Sequence, residues 1–295
     1  MSVAPQLTVI AGPTASGKSA LAVELAERTG AEIVSADSQA VYRHFDIGTA
    51  KPDAAALARV PHHLISVVDP LEQFTAARFQ ALADAAIRDI AGRGRRVLVV
   101  GGTGLYVRAL LHGLSDTPPD AGVRALLEEE LERTGGAAMH ARLAGVDPAS
   151  AARIPAADSL RVVRALEIHA VTGEPASAVR EAHRFGPDRY PYTLWFLDPP
   201  REVLVEAIRA RTREMFARGL VEEVRQLVRL GYRESPAMGS VGYRQALAVV
   251  EGRTTPAAAE VETVKETRAF AKRQRTWFRR EAGVRLVAPP YREIA

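Results

Sequence analysis

The apolar run Leu7-Thr8-Val9-Ile10-Ala11 passes directly into Gly12-Pro13-Thr14-Ala15-Ser16-Gly17-Lys18-Ser19, after which Ala20, Leu21, Val23, Glu24, Leu25 and Ala26 follow at helical spacing. A strand, a G-x-x-x-x-G-K-[ST] loop and a helix in that order fix both a local fold and a ligand class. The glycines let successive backbone N–H groups turn inward around phosphate oxygens. Lys18 adds a positive charge, and the Ser19 hydroxyl can ligate Mg²⁺. Thr14, Ala15, Ser16, Gly17, Lys18 and Ser19 are therefore the candidate polyphosphate ligands, with Ser19 the candidate metal ligand. The motif specifies a polyphosphate without specifying ATP. A Gly-rich turn with no ligand is the alternative reading.

Composition narrows the remaining classes. A chain of 295 residues, 47% hydrophobic and 25% charged, can bury a core as one extended domain or two. It contains no cysteine, which excludes disulfides, thiolate nucleophiles and Cys-ligated zinc. No apolar run approaches the ~20 residues that span a bilayer, and no signal-like segment opens the sequence, so a cytoplasmic protein without a membrane partner is expected. The net charge of +4 is too small to argue for nucleic acid by itself, so the distribution of charge matters more.

Ile33-Val34-Ser35-Ala36 reads as a second strand ending at Asp37-Ser38-Gln39. Phe79, Leu82, Ala86 and Ile90 mark a helix that Gly92 and Gly94 break before the strand Arg96-Val97-Leu98-Val99-Val100. Thr193-Leu194-Trp195-Phe196-Leu197 leads through Asp198-Pro199-Pro200 into a long helix near Arg201. Strands joined by helices predict an α/β fold: a P-loop NTPase-like core whose mostly parallel sheet is flanked by helices. From 121 to 185 the pattern is helical throughout, with Pro118-Pro119 and Gly186-Pro187 as candidate hinges. The expected division is a core of 1–120 and 187–295 with C-terminal helices, plus an inserted all-helical subdomain, 121–186.

The strand at Arg96–Val100 runs into Gly101-Gly102-Thr103-Gly104, where an ordinary P-loop ATPase carries an Asp that helps hold Mg²⁺. A hydroxyl and flexible backbone replace that carboxylate, which stands instead at Asp37. This suits a reaction in which diphosphate leaves intact and the nucleophile needs a base. A tight strand-to-helix turn and a turn Asp are the plain alternatives. Further on, Lys265, Arg268, Lys272, Arg275 and Arg279 recur every three or four residues and form a basic stripe on one helix face, suited to phosphates or simply to solvent. Phe270 and Trp277 fall opposite, as core anchors. His62-His63 diverge on a strand and receive no metal role.

The segments Gly12 to Ser19, Asp37-Ser38-Gln39-Ala40-Val41-Tyr42-Arg43, Asp46-Ile47-Gly48-Thr49-Ala50-Lys51-Pro52, Gly101 to Tyr106, Val241-Gly242-Tyr243-Arg244-Gln245 and Ala271-Lys272-Arg273-Gln274-Arg275-Thr276-Trp277 span most of the chain. Together they resemble the tRNA dimethylallyltransferase, or isopentenyl-tRNA transferase, family. The resemblance implies transfer of a dimethylallyl group from its diphosphate, with Mg²⁺, to the exocyclic amine of the adenine just 3′ of the anticodon. The base would be drawn from its stack into a channel open at two ends. Its partners would be the tRNA anticodon stem-loop and dimethylallyl diphosphate, and the protein a monomer.

By that resemblance Asp37 is the general base and Thr103 bonds near the bridging oxygen. Lys18 and Arg211 are the cations on the diphosphate, although Arg209 and Arg213 make a solvated basic face an equal reading for Arg211. The tRNA-binding set is Asp37, Ser38, Gln39, Ala40, Thr103, Arg124, Leu160, Arg161, Val162, Val163, Arg164, Gly242, Tyr243, Arg244, Lys272 and Arg275. Ala207 departs from the family pattern, where an Arg is common. The alternatives are a small-molecule or nucleoside kinase, and a GTPase-like RNA-binding module, for which no N-K-x-D sequence is present.

Overall fold

Six strands build one sheet among the residues described by the computed structural model, which are 4–114, 120–182 and 188–294: β1 (Leu7–Ala11), β2 (Glu32–Ser35), β3 (His62–His63), β4 (Val97–Gly101), β5 (Tyr192–Leu197) and β6 (Arg285–Val287). The order is β3-β2-β4-β1-β5-β6 and every pairing is parallel, so the sheet is wholly rather than mostly parallel. β1 lies between β4 and β5, with Leu7 opposite both Val97 and Tyr192.

The period of two along the strands divides the core between the two faces. Leu7, Val9, Val97, Val99 and Phe196 pack on one face against Phe79, Ala83, Ile87 and Ile90 of the helix Ala76–Gly92 and against Tyr106 and Leu110 of Gly104–His112. Ile10, Ile33, Leu98 and Val100 face the other way, onto Ala22, Leu25 and Ala26 of the helix Lys18–Thr29. Each Val, Leu, Ile or Phe among them contributes ~1.5–3 kcal/mol by burial.

Parallel strands end on the same edge, so Gly12, Asp37, Gly102 and Asp198 all emerge there. Ala36 binds the end of β4: its N–H donates to the Val100 carbonyl at 2.8 Å, and its own carbonyl accepts from Thr103 N–H at 3.3 Å. A Cβ on Gly101 would overlap that carbonyl, which is why only glycine fits.

The C-terminal helices Arg201–Ala217, Leu220–Arg229 and Tyr243–Val250 enclose Val41, Tyr42 and Phe45 in a further core with Met215, Leu220, Val224 and Tyr243. Glu223 accepts from Ile47 N–H at 2.9 Å and from the Tyr243 hydroxyl at 2.6 Å, and that hydroxyl accepts from Gly48 N–H at 3.1 Å. Lys51 Nζ donates to the Tyr42 carbonyl, Asp46 Oδ1 and Ser66 Oγ at 2.5–2.7 Å. The segment from Asp46 to Lys51 is thus a pinned loop.

The chain divides into two units, one made of 1–111 and 188–295 and the other of 112–187. The hinges expected at Pro118-Pro119 and Gly186-Pro187 lie outside the described residues. In the second unit the helices Ala121–Thr134, Gly136–Val146, Ser159–Thr172 and Ala176–Ala182 pack around Leu127, Met139, Leu143, Val162, Val163 and Leu166, and no strand occurs among its described residues. Glu167 is buried there. Burial pushes its carboxyl up, and hydrogen bonds from Arg124, Arg164 and the Asp120 N–H more than reverse this, so it stays ionised.

The overlap at Ala36 predicts that Gly101→Ala destabilises the chain by ~1–3 kcal/mol through overpacking. Gly92→Ala, where an added Cβ meets nothing within 4 Å, should be neutral or stabilising by up to ~1 kcal/mol. Urea unfolding midpoints of the two variants read the contrast.

Candidate active site

The phosphate loop begins where β1 ends, and its turn depends on two left-handed residues, Ala15 at φ 63° and Gly17 at φ 84°. Gly17 caps the helix that starts at Lys18, whose first turn carries no acidic residue, so its positive end is open to an anion. The N–H groups do not all point inward. Thr14 N–H donates to Gln274 Oε1 at 2.9 Å and Ser16 N–H to the Pro13 carbonyl at 3.2 Å. Those of Ala15, Gly17, Lys18 and Ser19 have no acceptor among the described residues and form the cradle. Thr14 and Ser16 therefore differ from expectation: their N–H groups hold the loop rather than face a ligand. The Tyr291 hydroxyl donates to the Ser16 carbonyl at 3.1 Å and braces the loop from outside.

Beside the cradle lies a cavity of about 420 Å³, lined by Thr14, Lys18 and Ser19, by Asp37 to Ala40, by Thr103, and by Arg211. Asp37 Oδ1 accepts from Gln39 N–H at 2.8 Å and Ala40 N–H at 3.2 Å, a turn that fixes the carboxylate, while Oδ2 has no hydrogen-bond partner among the described residues. The turn Asp is thus also an Asp of the cavity wall. Thr103 Oγ1 accepts from Ser38 N–H at 3.1 Å, which leaves its own hydrogen to donate; Ser38 Oγ, at 3.5 Å, is a weak acceptor.

Arg211 faces this cavity and a second one of about 350 Å³ on the outer side of the loop, as do Lys18 and Ser19. Arg209 points away and pairs with Glu206 at 2.6 Å, so the orientation of Arg211 differs from that of its neighbour. Burial holds the Lys18 ammonium down to about 8, Arg211 adds to the effect, and Asp37 opposes it. Burial likewise lowers Arg211, against Asp37 and Glu214. Two crowded cations beside one carboxylate form a site whose charge is satisfied by an anion.

The candidate tRNA ligands separate into several environments. Arg244 stands at the cavity rim in an ion pair with Glu266. Tyr243 is fully buried and Gly242 opens its helix at φ 97°, so both are structural anchors rather than contacts for a partner. Val162 and Val163 are core residues of the helical unit and their side chains are out of reach of a partner. Arg124 and Arg164 pair with Glu167 at 2.5 and 2.9 Å, Arg161 pairs with Asp158 at 2.5 Å, and Leu160 is 81% exposed.

Lys265, Arg268, Lys272, Arg275 and Arg279 do share one face, where with Arg201 they line a groove of about 730 Å³. Asp198 partly neutralises it, pairing with Arg275 at 2.7 Å and Arg279 at 2.5 Å. Phe270 is not a core anchor: it is 39% exposed on the cavity wall, with the Arg273 guanidinium 5.6 Å from its ring. Trp277 does pack inward, between Gly104 and the Arg108 guanidinium.

Sequence reasoning missed Gln274, Glu223 and Lys51. Gln274 lay within a motif already singled out, but its partners are 172 and 260 residues away. No local pattern marks such a residue.

The family described as IPP transferase matches residues 40–281 and that described as isopentenyl transferase matches 5–66. The tRNA dimethylallyltransferase of Myxococcus xanthus (strain DK1622) is 61% identical over 290 residues, covering 97% of this chain and 94% of the relative. That of Anaeromyxobacter dehalogenans (strain 2CP-C) is 54% identical over 287 residues, covering 97% and 96%. Among solved structures, the full-length tRNA isopentenylpyrophosphate transferase of Bacillus halodurans superposes with a TM-score of 0.71 at 38% identity, over 96% of this chain and 89% of that one. A eukaryotic dimethylallyltransferase acting on tRNA gives a TM-score of 0.81 at 26% identity, over 96% and 74%.

The lowered Lys18 ammonium gives a pH prediction. Below pH 8 the lysine is protonated both folded and unfolded, and the fold bears the full cost of a buried charge; above 10.5 that cost is absent. Stability should therefore rise as pH increases through this window. Lys18→Met should be more stable than the parent at pH 7.5 and lose most of that advantage by pH 9.5, as read from urea midpoints.

Proposed function

The chain belongs to the IPP transferase family, and from that membership we propose that its cleft joins the dimethylallyl group of dimethylallyl diphosphate to the exocyclic amine of the adenine 3′-adjacent to the tRNA anticodon. It is a tRNA-modifying prenyltransferase, and the kinase and GTPase-like readings fall away. One observation carries the residue assignment. A carboxylate oxygen with no hydrogen-bond partner among the described residues, a hydroxyl with a hydrogen to donate, and two crowded cations line one cavity.

The diphosphate lies on the N–H groups of Ala15, Gly17, Lys18 and Ser19, with Lys18 and Arg211 as counter-charges. As the carbon–oxygen bond breaks, negative charge grows on the bridging oxygen, and groups that hold it more tightly then raise the rate. Thr103 donates its hydroxyl hydrogen to that oxygen. A unit charge pair 4 Å apart is worth at most ~4 kcal/mol at an effective dielectric of 20. The amine nitrogen attacks the carbon as the diphosphate departs, and its proton passes to Asp37 Oδ2, held in place through Oδ1.

Ser19, exposed in the first helical turn, suits Mg²⁺, which keeps several waters and takes phosphate oxygens, so that one hydroxyl is a sufficient protein ligand. Bound there, Mg²⁺ would offset charge on the departing diphosphate.

The target adenine must leave its stack to reach Asp37, and Phe270 on the cavity wall offers a face on which a flipped base can rest. Lys272 and Arg268 in the groove, with Leu160 and Arg161 of the helical unit, are the surface candidates for the anticodon stem-loop. The described residues contain no helix long and apolar enough to cross a membrane, and the residues lining the cavity belong to one unit. The enzyme is read as cytoplasmic and as acting as a monomer.

Incubation with total tRNA and labelled dimethylallyl diphosphate should yield one labelled adenosine derivative by mass spectrometry. Robust ATP hydrolysis without tRNA, and no prenylated base, would refute the reading. Asp37→Asn should lower kcat by ~10²–10⁴ with little change in the KM for the diphosphate. Binding of tRNA should weaken steeply as salt rises from 50 to 200 mM, by ~10³ or more if six phosphates are contacted. Diphosphate binding should respond less.

A further inference from the structure

Gln274 is buried in the helix Pro256–Phe278, and its amide joins two loops that are far apart in sequence. Its Oε1 accepts from Thr14 N–H at 2.9 Å, and its Nε2 donates to the Gly102 carbonyl at 2.9 Å. The first contact holds the cradle and the second holds the turn that carries Thr103. That turn is tied in its own right to the residues around Asp37, through Ser38 N–H on Thr103 Oγ1 and Thr103 N–H on the Ala36 carbonyl. The contact is close enough that a Cβ on Gly102 would overlap Gln274 Nε2.

We propose that Gln274 is a positioning residue, which sets the distance between the diphosphate cradle and the Thr103–Asp37 pair and so holds leaving group, proton acceptor and nucleophile in one line. The proposal rests on the functional reading above. Beyond the β1–β4 pairing the amide links the two loops, and a primary amide suits the task because it accepts on one side and donates on the other. Neither contact consumes a group that faces the ligand. Loss of the amide leaves the cradle able to bind diphosphate and the rim able to bind tRNA, but lets the reacting groups drift. A drift of about 1 Å costs on the order of a hundredfold in rate.

The test uses the full chain with labelled dimethylallyl diphosphate and an anticodon stem-loop, and competent sites are counted by pyrophosphate-binding stoichiometry. Gln274→Met should lower kcat per competent site by ~10–100-fold and leave both KM values within ~3-fold. Gln274→Glu keeps an acceptor for Thr14 N–H and can donate to the Gly102 carbonyl only when protonated. Its activity relative to the parent should climb as pH falls, whereas the ratio for Gln274→Met stays flat. Unchanged kcat per competent site in Gln274→Met, or a loss confined to the diphosphate KM, overturns the proposal.

Hydrogen exchange reads the same bridge without catalysis. In Gln274→Met the amides of Thr14, Thr103 and Ser38 should exchange at least ~10-fold faster while those of β1 and β4 keep their protection. Unchanged exchange at Ser38 and Thr103 overturns the positioning role even if the parent chain leaves the stem-loop unprenylated, an outcome that separately refutes the functional reading.

Discussion

The approach of Ala36 to Gly101 is the contact on which the site depends. Where β2 and β4 end, one residue, Ala36, accepts from Thr103 N–H through its carbonyl and donates to the Val100 carbonyl through its N–H, at a separation that excludes any side chain at position 101. Pairing of two adjacent parallel strands thereby becomes pairing of the two loops beyond them, and Asp37 and Thr103 are delivered side by side. β1, on the other side of β4, brings the cradle to the same edge. The chemistry is assembled by strand register, and Gln274 ties the cradle to the Thr103 turn beyond the strands.

That arrangement explains which parts were legible in the sequence. The phosphate loop, the strand ends at Asp37 and Thr103 and the all-helical stretch each rest on local pattern: a spacing of glycines, an alternation, a period near 3.6. The sense of an exposed or buried side chain needs its partners, and these are remote. Tyr243 looked available until Glu223 and Gly48 enclosed its hydroxyl. Phe270 was assigned inward by opposition to a basic stripe, yet the helix turns it toward a cavity that other segments create. Arg275 reads as one cation of a basic stripe, and no local pattern marks Asp198, far away in sequence, as its counter-ion.

The cleft also accepts a local instability. Lys18 and Arg211 are desolvated near one another, and Asp37 offsets only part of the repulsion. Ala15 adds backbone strain in the left-handed region, worth ~1 kcal/mol or more. Such terms are tolerable where the surrounding core is large, and both sheet faces here are densely covered.

Tyr291 and Gln274 brace a loop that begins at Gly12. A ribosome emits the loop well before its braces. At ~5–20 residues per second, the loop waits on the order of tens of seconds for partners about 260 positions downstream. A nascent chain can form β1 and the first helix in that interval, but the loop is braced only after Gln274 and Tyr291 have been added. Products that stop before Gln274 therefore carry the whole motif without its tie to the Thr103 turn, and the motif alone is a poor guide to which fragments of such a protein can align the reacting groups.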